Sequence, residues 1–280
     1  MKKNILLLTK SIKHRGYCVT GIDIETGKWI RLIASEYDNY PVDAFKYGNS
    51  NATPEILDVM TVNLGDDCSD DIHPEDYYAI DILYKKEDVI GSKNIFVDRL
   101  FEDDKLHDFV FYNDDCKLDA EKYKSTMIAG KHSLQLIEAK DLELYKNIYG
   151  RVKASFIYKD VRYKNIRVTD YSFIDSCILK DSVGNLRLGD SFYIVLSLGE
   201  EYLNPNNNRR EHYKLVASII SKRSTKEKLK EVVLDYNEIL TLDEICCKYK
   251  YYPGLPLAVR RVNWTNDYYF VIKYLDDKRA

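Results

Sequence analysis

The stretch KHRGYCVTGIDIETGKWIRLI, residues 13–33, decides the fold, because it contains two β-strand patterns joined by a turn. Residues 17–24 are rich in β-branched and aromatic side chains, as strands are. The sequence Glu-Thr-Gly follows and supplies turn chemistry, and residues 28–33 then return as a second strand. The stretch therefore predicts a β-hairpin that begins with the basic sequence Lys-His-Arg.

The second strand of this hairpin separates its side chains into two kinds. Because successive side chains of a strand point to opposite faces, Ile30 and Leu32 share one face while Trp29 and Arg31 share the other. We expect the aliphatic face in the core. Trp29 and Arg31 would then lie side by side on the outer face, about 7 Å apart along the strand.

Short strand patterns of the same kind recur along most of the chain. In the first half they cover residues 4–9, 56–63, 77–84 and 133–139, besides the hairpin. In the second half they cover residues 152–158, 161–169, 186–190, 192–198 and 213–221. About five short strands with long loops, occurring twice, predict two small barrels of the OB type in series. No helix alternates with each strand, which disfavours a doubly wound α/β sheet. The predicted class is mainly β with α additions (α+β).

The predicted organisation has three units. They are a first barrel over residues 1–140, a second barrel over 141–223 and a helical extension or cap over 224–280. Residues 86–128, which are acidic and mostly helical in pattern, are expected as an insertion in the first barrel. Long inserted segments are tolerated best in surface loops.

The segment after residue 224 changes to helical spacing. Apolar residues at that spacing predict a helix over 225–239, and a capping box at Thr241 predicts another over 241–251. A helical cap over a barrel edge is the preferred interpretation, and a helix-turn-helix is the alternative. Residues 257–262 and 268–274 fit either a strand pair or a helix.

The charge of the chain is small overall but segregated. The net charge is −3, which excludes a general polyanion binder and requires any nucleic-acid site to be a local patch. Residues 1–31 hold seven basic and two acidic side chains, and residues 221–230 hold five and one. Residues 101–121 hold eight acidic and two basic side chains, which suits a contact with another protein. The 24 Tyr residues give weak further support for a binding surface.

Motifs for catalysis, metals and membranes are missing from the sequence. It has no G-x-S-x-G, Walker A or G-x-G-x-x-G motif, so no catalytic residue and no cofactor is expected. The six cysteines and five histidines lack metal-ligand spacing, and we expect reduced thiols in the cytoplasm and no metal. No apolar run is long enough for a membrane span, and the N-terminus does not fit a signal peptide.

The best candidate site is the basic and aromatic group around the hairpin. Phosphates require cations and hydrogen-bond donors, and unstacked bases require flat aromatic or guanidinium surfaces. The loop residues would hold phosphate and the strand residues would stack on bases. The full candidate set is Lys10, Lys13, His14, Arg15, Tyr17, Trp29 and Arg31. In the alternative interpretation Trp29 belongs to the core and Arg31 pairs with an acid such as Asp23.

The N-terminal motifs resemble those of the bacterial dual OB-containing domain family. The matching elements are Lys10-Ser11, Lys13, Gly16, Cys18-Val19, Gly21-Ile22-Asp23 and Trp29-Ile30-Arg31. A second similar region is VTDYSF, residues 168–173, followed by YIVLSLGEEY and YKLVASII. The resemblance covers roughly residues 1–221. It implies a nucleic-acid or nucleotide recognition module from bacterial conflict-type gene neighbourhoods, and it implies no catalytic residues.

The predicted function is non-enzymatic binding or sensing of single-stranded or end-exposed nucleic acid, or of a nucleotide. Two alternatives stay open. One is a protein-interaction adaptor that uses the acidic segment 101–121. The other is an enzyme that acts on nucleic acid through a site without a recognised motif.

Overall fold

The structure is a computed structural model, and it describes these parts of the chain with their side chains: 1–34, 39–85, 108–125, 133–174, Leu188 and 192–220. The backbone is also described for strands at 229–235, 258–264 and 267–275. Residues 175–176, 186–187, 189 and 221 are likewise described by their backbone alone. The described part of the chain is mainly β.

Five strands close the first barrel. These are β1 (Lys2–Lys13), β2 (Gly16–Asp23), β3 (Trp29–Ile33), β5 (Val59–Asp67) and β6 (Asp76–Lys85). They pair in the order β1-β2-β3-β6-β5 and return to β1, with β3 and β6 parallel and the other pairs antiparallel. The short strand β4 (Tyr40–Pro41) pairs with the start of β2.

The second barrel repeats this strand order. Its strands are β8 (Leu134–Lys146), β9 (Val152–Tyr158), β10 (Val161–Val168), β12 (Phe192–Asn204) and β13 (Arg209–Ser221). The order is β8-β9-β10-β13-β12 and back to β8, with β10 and β13 parallel. Two short strands add to it: β7 (Lys117–Asp119) pairs with β13, and β11 (Leu186–Gly189) pairs with β8. The prediction of two barrels in series is confirmed.

The boundary between the barrels differs from the expected one. Strand β8 begins at Leu134 and belongs to the second barrel, so the expected division between residues 140 and 141 falls inside a strand. The sequence pattern ended this strand at residue 139, where two exposed residues, Lys140 and Asp141, interrupt the apolar alternation. A register shift accommodates this interruption, and the strand continues to Lys146.

The aliphatic run at the start of β1 is buried on both faces. Ile5 and Leu7 point into the first barrel and pack with Ile30 and Leu32, as predicted for the inward face of β3. Leu6 and Leu8 point outward and pack in a separate cluster against Leu136, Val195 and Ile220 of the second barrel. Both faces of this strand are apolar because one lines a barrel and the other joins the two barrels.

The acidic segment differs from the predicted helical insertion. Residues 86–107 lie outside the described part, while residues 108–125 form a 3-10 turn (Val110–Tyr112), strand β7 and a short helix α1 (Ala120–Ser125). Their apolar side chains enter the core of the second barrel, not the first. Buried Lys214 fixes this arrangement by donating hydrogen bonds to the carbonyl oxygens of Val110 (2.6 Å) and Asn113 (2.8 Å).

The prediction of a helical C-terminal segment is also wrong for the residues that the structure describes. Residues 229–235, inside the helix predicted over 225–239, form strand β14 (Leu229–Asp235). This strand pairs along its whole length with β16 (Asp267–Leu275), which pairs in turn with β15 (Ala258–Trp264). The two β-branched residues of LKEVVLD suit a strand once a partner is present, and long-range pairing overrides helical spacing. The helix predicted over 241–251 lies outside the described residues.

Candidate functional site

A cleft of about 440 Å³ lies between the two barrels. The first barrel contributes the β1–β2 turn and the β5–β6 connection. The second barrel contributes the end of β10, the start of helix α2 (Tyr171–Ser176) and the middle of β12. The charged, imidazole and aromatic side chains that line it are Lys13, His14, Arg31, His73, Arg167, Tyr171 and Glu200.

The β1–β2 turn projects two of these groups into the cleft. The turn is tight, because Lys13 pairs with Gly16 and only two residues lie between the strands. His14 takes a positive φ of 53°, which is uncommon for a residue with a side chain. Gly16 is required there, since a Cβ atom would lie 2.6 Å from the carbonyl oxygen of Tyr40. The turn is therefore held in one conformation.

Glu200 of the second barrel binds both basic groups of the turn. Its carboxylate lies 3.3 Å from Lys13 Nζ and 3.1 Å from His14 Nε2. Burial acts to raise the pKa of Glu200, but the hydrogen bond from His14 and the charge of Lys13 outweigh it and lower that pKa. The carboxylate thus occupies the position that an anionic ligand of Lys13 and His14 would take.

Arg31 lies at the base of the cleft and is buried. Its side chain is 4% exposed and donates two hydrogen bonds of 2.6 Å to the Asp76 carboxylate. The pKa of Arg31 is raised, because these bonds and the charge of Asp76 outweigh the effect of burial. The predicted stacking role of Arg31 is therefore wrong: the guanidinium is enclosed with a carboxylate on its donor edge, and the partner is Asp76, not Asp23.

A buried polar network adjoins this ion pair and crosses from one barrel to the other. Ser133, just before β8, lies 2.8 Å from His73 Nδ1 and donates a hydrogen bond to Glu75. Burial raises the pKa of Glu75 to about 7. Burial and the charge of Arg31 lower the pKa of His73 to about 3. His73 therefore faces the cleft as a neutral imidazole.

The second barrel supplies an open cation and an open ring. Arg167 is exposed and forms no ion pair with any residue in the described ranges. Tyr171 is 40% exposed at the start of α2. Asp170 orients this helix by accepting hydrogen bonds from the backbone N–H groups of Phe173 (3.0 Å) and Ile219 (2.9 Å). The cleft thus has a cation and an aromatic side chain on the wall opposite the β1–β2 turn.

The other predicted residues do not join this group. Lys10 points away from the cleft, where its Nζ lies 3.2 Å from the Pro54 carbonyl oxygen and 5.9 Å from the centre of the Tyr17 ring. Arg15 is exposed at the tip of the turn but does not line the cleft. Trp29 is half-buried, packs against the cluster that joins the barrels and does not line the cleft. Of the predicted set, Lys13, His14 and Arg31 come together.

Four lining residues were missed by the sequence analysis: His73, Arg167, Tyr171 and Glu200. No spacing pattern links them, because three lie in the second barrel and one in a loop of the first. The available signal was the second region of family resemblance. Its segments 168–173 and 193–202 contain Tyr171 and Glu200.

The described ranges contain no candidate metal centre. They contain no group of three or more His, Cys, Asp or Glu side chains placed to hold a metal ion. The helices within these ranges are too short and too polar to cross a membrane.

The family model of the dual OB-containing domain matches residues 3–219. The chain belongs to the dual OB-containing domain family. The match covers both barrels and ends before β14, in agreement with the topology. Searches among curated proteins and among solved structures found no match.

The cleft lies next to the loops that bind ligands in OB folds. OB folds bind ligands on the face of their second and third strands and with the loops between strands one and two and between strands four and five. In this dual OB-containing domain Lys13 and His14 come from the first of these loops in barrel one, and His73 comes from the second. The second barrel covers this location from one side and turns an open face into a cleft.

Proposed function

We propose that the protein binds single-stranded or end-exposed nucleic acid in the cleft between the barrels. The observation that carries the proposal is the convergence of both ligand-binding loops of the first barrel with Arg167 and Tyr171 of the second. Lys13, His14 and Arg167 would contact phosphate, and Tyr171 would stack on a base. The net charge of −3 fits a local site of this kind.

The volume of the cleft and the placement of its basic groups favour a single strand over a duplex. A space of about 440 Å³ lies in the range of small-ligand pockets, so it accommodates one or two nucleotides but not a double helix. The basic groups stand on two opposite walls, which suits a strand that passes between them. A free nucleotide presents the same phosphate and base chemistry and is therefore a second form of ligand to be tested.

The role of Glu200 in this proposal is that of a competing anion. Without a ligand its carboxylate contacts Lys13 and His14 across the cleft. A phosphate would displace it and contact both Lys13 and His14. Exchange of one anion for another keeps binding moderate and reversible, which suits a sensing module.

The biological setting belongs to the proposal as well. A place in bacterial conflict systems rests on the family resemblance. A cytoplasmic location is supported by Cys18 and Cys116, which are in no disulfide.

Fluorescence anisotropy with a labelled eight-nucleotide single strand tests the proposal. Lys13→Glu and Arg167→Glu should each weaken binding about tenfold or more, because each removes a charge-assisted contact and adds a repulsive charge. Lys28→Glu is the matched control, since Lys28 is exposed at the opposite end of β2. A duplex of equal length and a mononucleotide are the comparison ligands. The proposal fails if the wild type binds no single strand, or if Lys28→Glu weakens binding as much as the two cleft variants.

A further inference from the structure

The second barrel has its own basic surface, outside the cleft. Between residues 145 and 167 the sequence holds seven basic side chains and one acidic one, Asp160. This stretch comprises the end of β8, the β8–β9 turn, β9 and β10. These are the elements that correspond to the ligand face of an OB barrel. The basic side chains are Lys146, Arg151, Lys153, Lys159, Arg162, Lys164 and Arg167.

Strand register places three polar side chains of this surface in one row. Tyr145 of β8 lies opposite Lys153 of β9, and Lys153 lies opposite Arg167 of β10. Strands are spaced about 4.8 Å apart, so the row extends about 10 Å across the barrel. Arg167 at one end of the row also lines the cleft. The row therefore leads out of the cleft and across the second barrel.

The positive charges of Lys153 and Arg167 in the row, and of Arg151 in the adjoining β8–β9 turn, are not neutralised within the described part of the protein. Arg151, Lys153 and Arg167 form no ion pair there, whereas their neighbour Arg162 is paired with Asp141. The pKa of Lys153 is lowered by burial and by the nearby charges of Arg167 and Arg151. Three cations that repel one another without a carboxylate partner favour the binding of an external polyanion.

The β8–β9 turn, which lies next to the row just beyond the end of β8 and the start of β9, is ordered and carries exposed apolar groups. Ile148 is 91% exposed and Tyr149 is 79% exposed. The turn is held by Asn147, whose Oδ1 accepts hydrogen bonds from the backbone N–H groups of Tyr149 (3.0 Å) and Arg151 (2.9 Å). An exposed tyrosine ring on a fixed turn next to a cation is a suitable platform for an unpaired base.

We propose that a bound single strand continues from the cleft along this row and ends at Tyr149 and Arg151. This inference rests on the proposed function and extends it to a second subsite on the second barrel. The ligand class is a single-stranded oligonucleotide long enough to reach both subsites. A mononucleotide or a very short strand would occupy the cleft alone. OB folds take roughly 4–16 nucleotides each, so the two subsites together require a strand toward the upper part of this range.

Length-dependent binding tests the second subsite. The double variant Tyr149→Ala/Arg151→Glu changes only exposed side chains at the β8–β9 turn. Thermal melting is used to check that this variant is folded. Wild type and variant are titrated with labelled single strands of 4 and 16 nucleotides. The wild type should bind the 16-mer at least tenfold more tightly than the 4-mer. The variant should lose most of that gain and bind the 4-mer as the wild type does.

The outcomes separate this inference from the proposed function. If the wild type binds both lengths and the variant leaves the 16-mer affinity unchanged, the second subsite is refuted while the cleft stands. If the variant weakens both lengths equally, the turn acts on the cleft and the inference is again refuted. If the wild type binds neither strand, both proposals are overturned. Lys28→Glu, titrated in parallel, should leave both affinities unchanged.

Discussion

The Arg31 guanidinium and the Asp76 carboxylate form a bidentate ion pair, with two hydrogen bonds of 2.6 Å, in the interior behind the cleft. Their side chains are only 4% and 9% exposed. Arg31 lies on β3 and Asp76 is the first residue of β6, at the point where these two strands pair in parallel. The ion pair therefore fixes the parallel junction that closes the first barrel.

Arg31→Met should destabilise the protein by about 3–5 kcal/mol, because it removes two hydrogen bonds and the balancing positive charge from the buried Asp76 carboxylate. Urea unfolding followed by circular dichroism measures the change. The double variant Arg31→Met/Asp76→Leu should recover most of the loss, since neither charge then remains buried. An Arg31→Met protein as stable as the wild type would show that the ion pair is open to solvent.

Glu75→Gln should change how stability depends on pH. The pKa of Glu75 is raised to about 7 from 4.5, so the folded protein holds a proton that the unfolded chain has released between pH 4.5 and 7. This group alone therefore lowers stability as pH rises through that window. His73, with its pKa lowered to about 3 from 6.5, acts in the opposite direction between pH 3 and 6.5. The two effects oppose each other where the windows overlap.

Removal of Glu75 exposes the contribution of His73. Relative to the wild type, the Glu75→Gln protein should gain stability with rising pH, by up to roughly 1.4 kcal/mol per pH unit between pH 4.5 and 7. Urea midpoints at pH 4.5, 5.5, 6.5 and 7.5 measure the difference. Parallel pH profiles for the two proteins would contradict the assignment of a protonated, buried Glu75.

Glu200→Gln should tighten nucleic-acid binding roughly two- to fivefold. The substitution removes the anion that competes for Lys13 and His14, and a partly exposed ion pair is worth about 0.2–1 kcal/mol. Fluorescence anisotropy with the eight-nucleotide strand measures the effect. Glu121→Gln, an exposed acid on α1, is the control and should leave the affinity unchanged. Weaker binding by Glu200→Gln would indicate that the carboxylate contacts the ligand directly.

Arg167→Ala should reduce the salt dependence of binding. Each phosphate contact to a single strand adds about 0.7 to the slope of log affinity against log salt concentration, so the slope should fall by that amount. Titrations at salt concentrations from about 50 to about 300 mM give the slope. Lys28→Ala should leave it unchanged. An identical slope for Arg167→Ala would remove Arg167 from the phosphate contacts.

The sequence was sufficient for the architecture and for the inward face of β3. Turn chemistry and alternation identified the hairpin, and Ile30 and Leu32 are in the core as predicted. Alternation could not reveal the environment of the opposite face. A position facing outward from one barrel can face solvent, a buried acid or the second barrel. Arg31 faces Asp76 and Trp29 packs at the junction of the barrels, and both outcomes depend on packing that local pattern does not encode.

The same limit applies to the site. Lys13 and His14 were found because basic residues at a turn are visible in one short stretch. Arg167 and Glu200 are separated from them by more than 150 residues and meet them only because the barrels pack together. The C-terminal strand β14 shows the limit in another form, since its helical spacing is overridden by its pairing with β16, more than 30 residues away.

Photochemical cross-linking tests the central claim most directly. A single-stranded oligonucleotide that carries 4-thiouridine at successive positions is bound to the wild-type protein, irradiated and mapped by mass spectrometry. The account predicts cross-links on both walls of the cleft, in peptides that contain residues 13–15 and in peptides that contain residues 167–171. Cross-links confined to surfaces outside the cleft, or an oligonucleotide that attaches equally to the Lys13→Glu/Arg167→Glu protein, would contradict it.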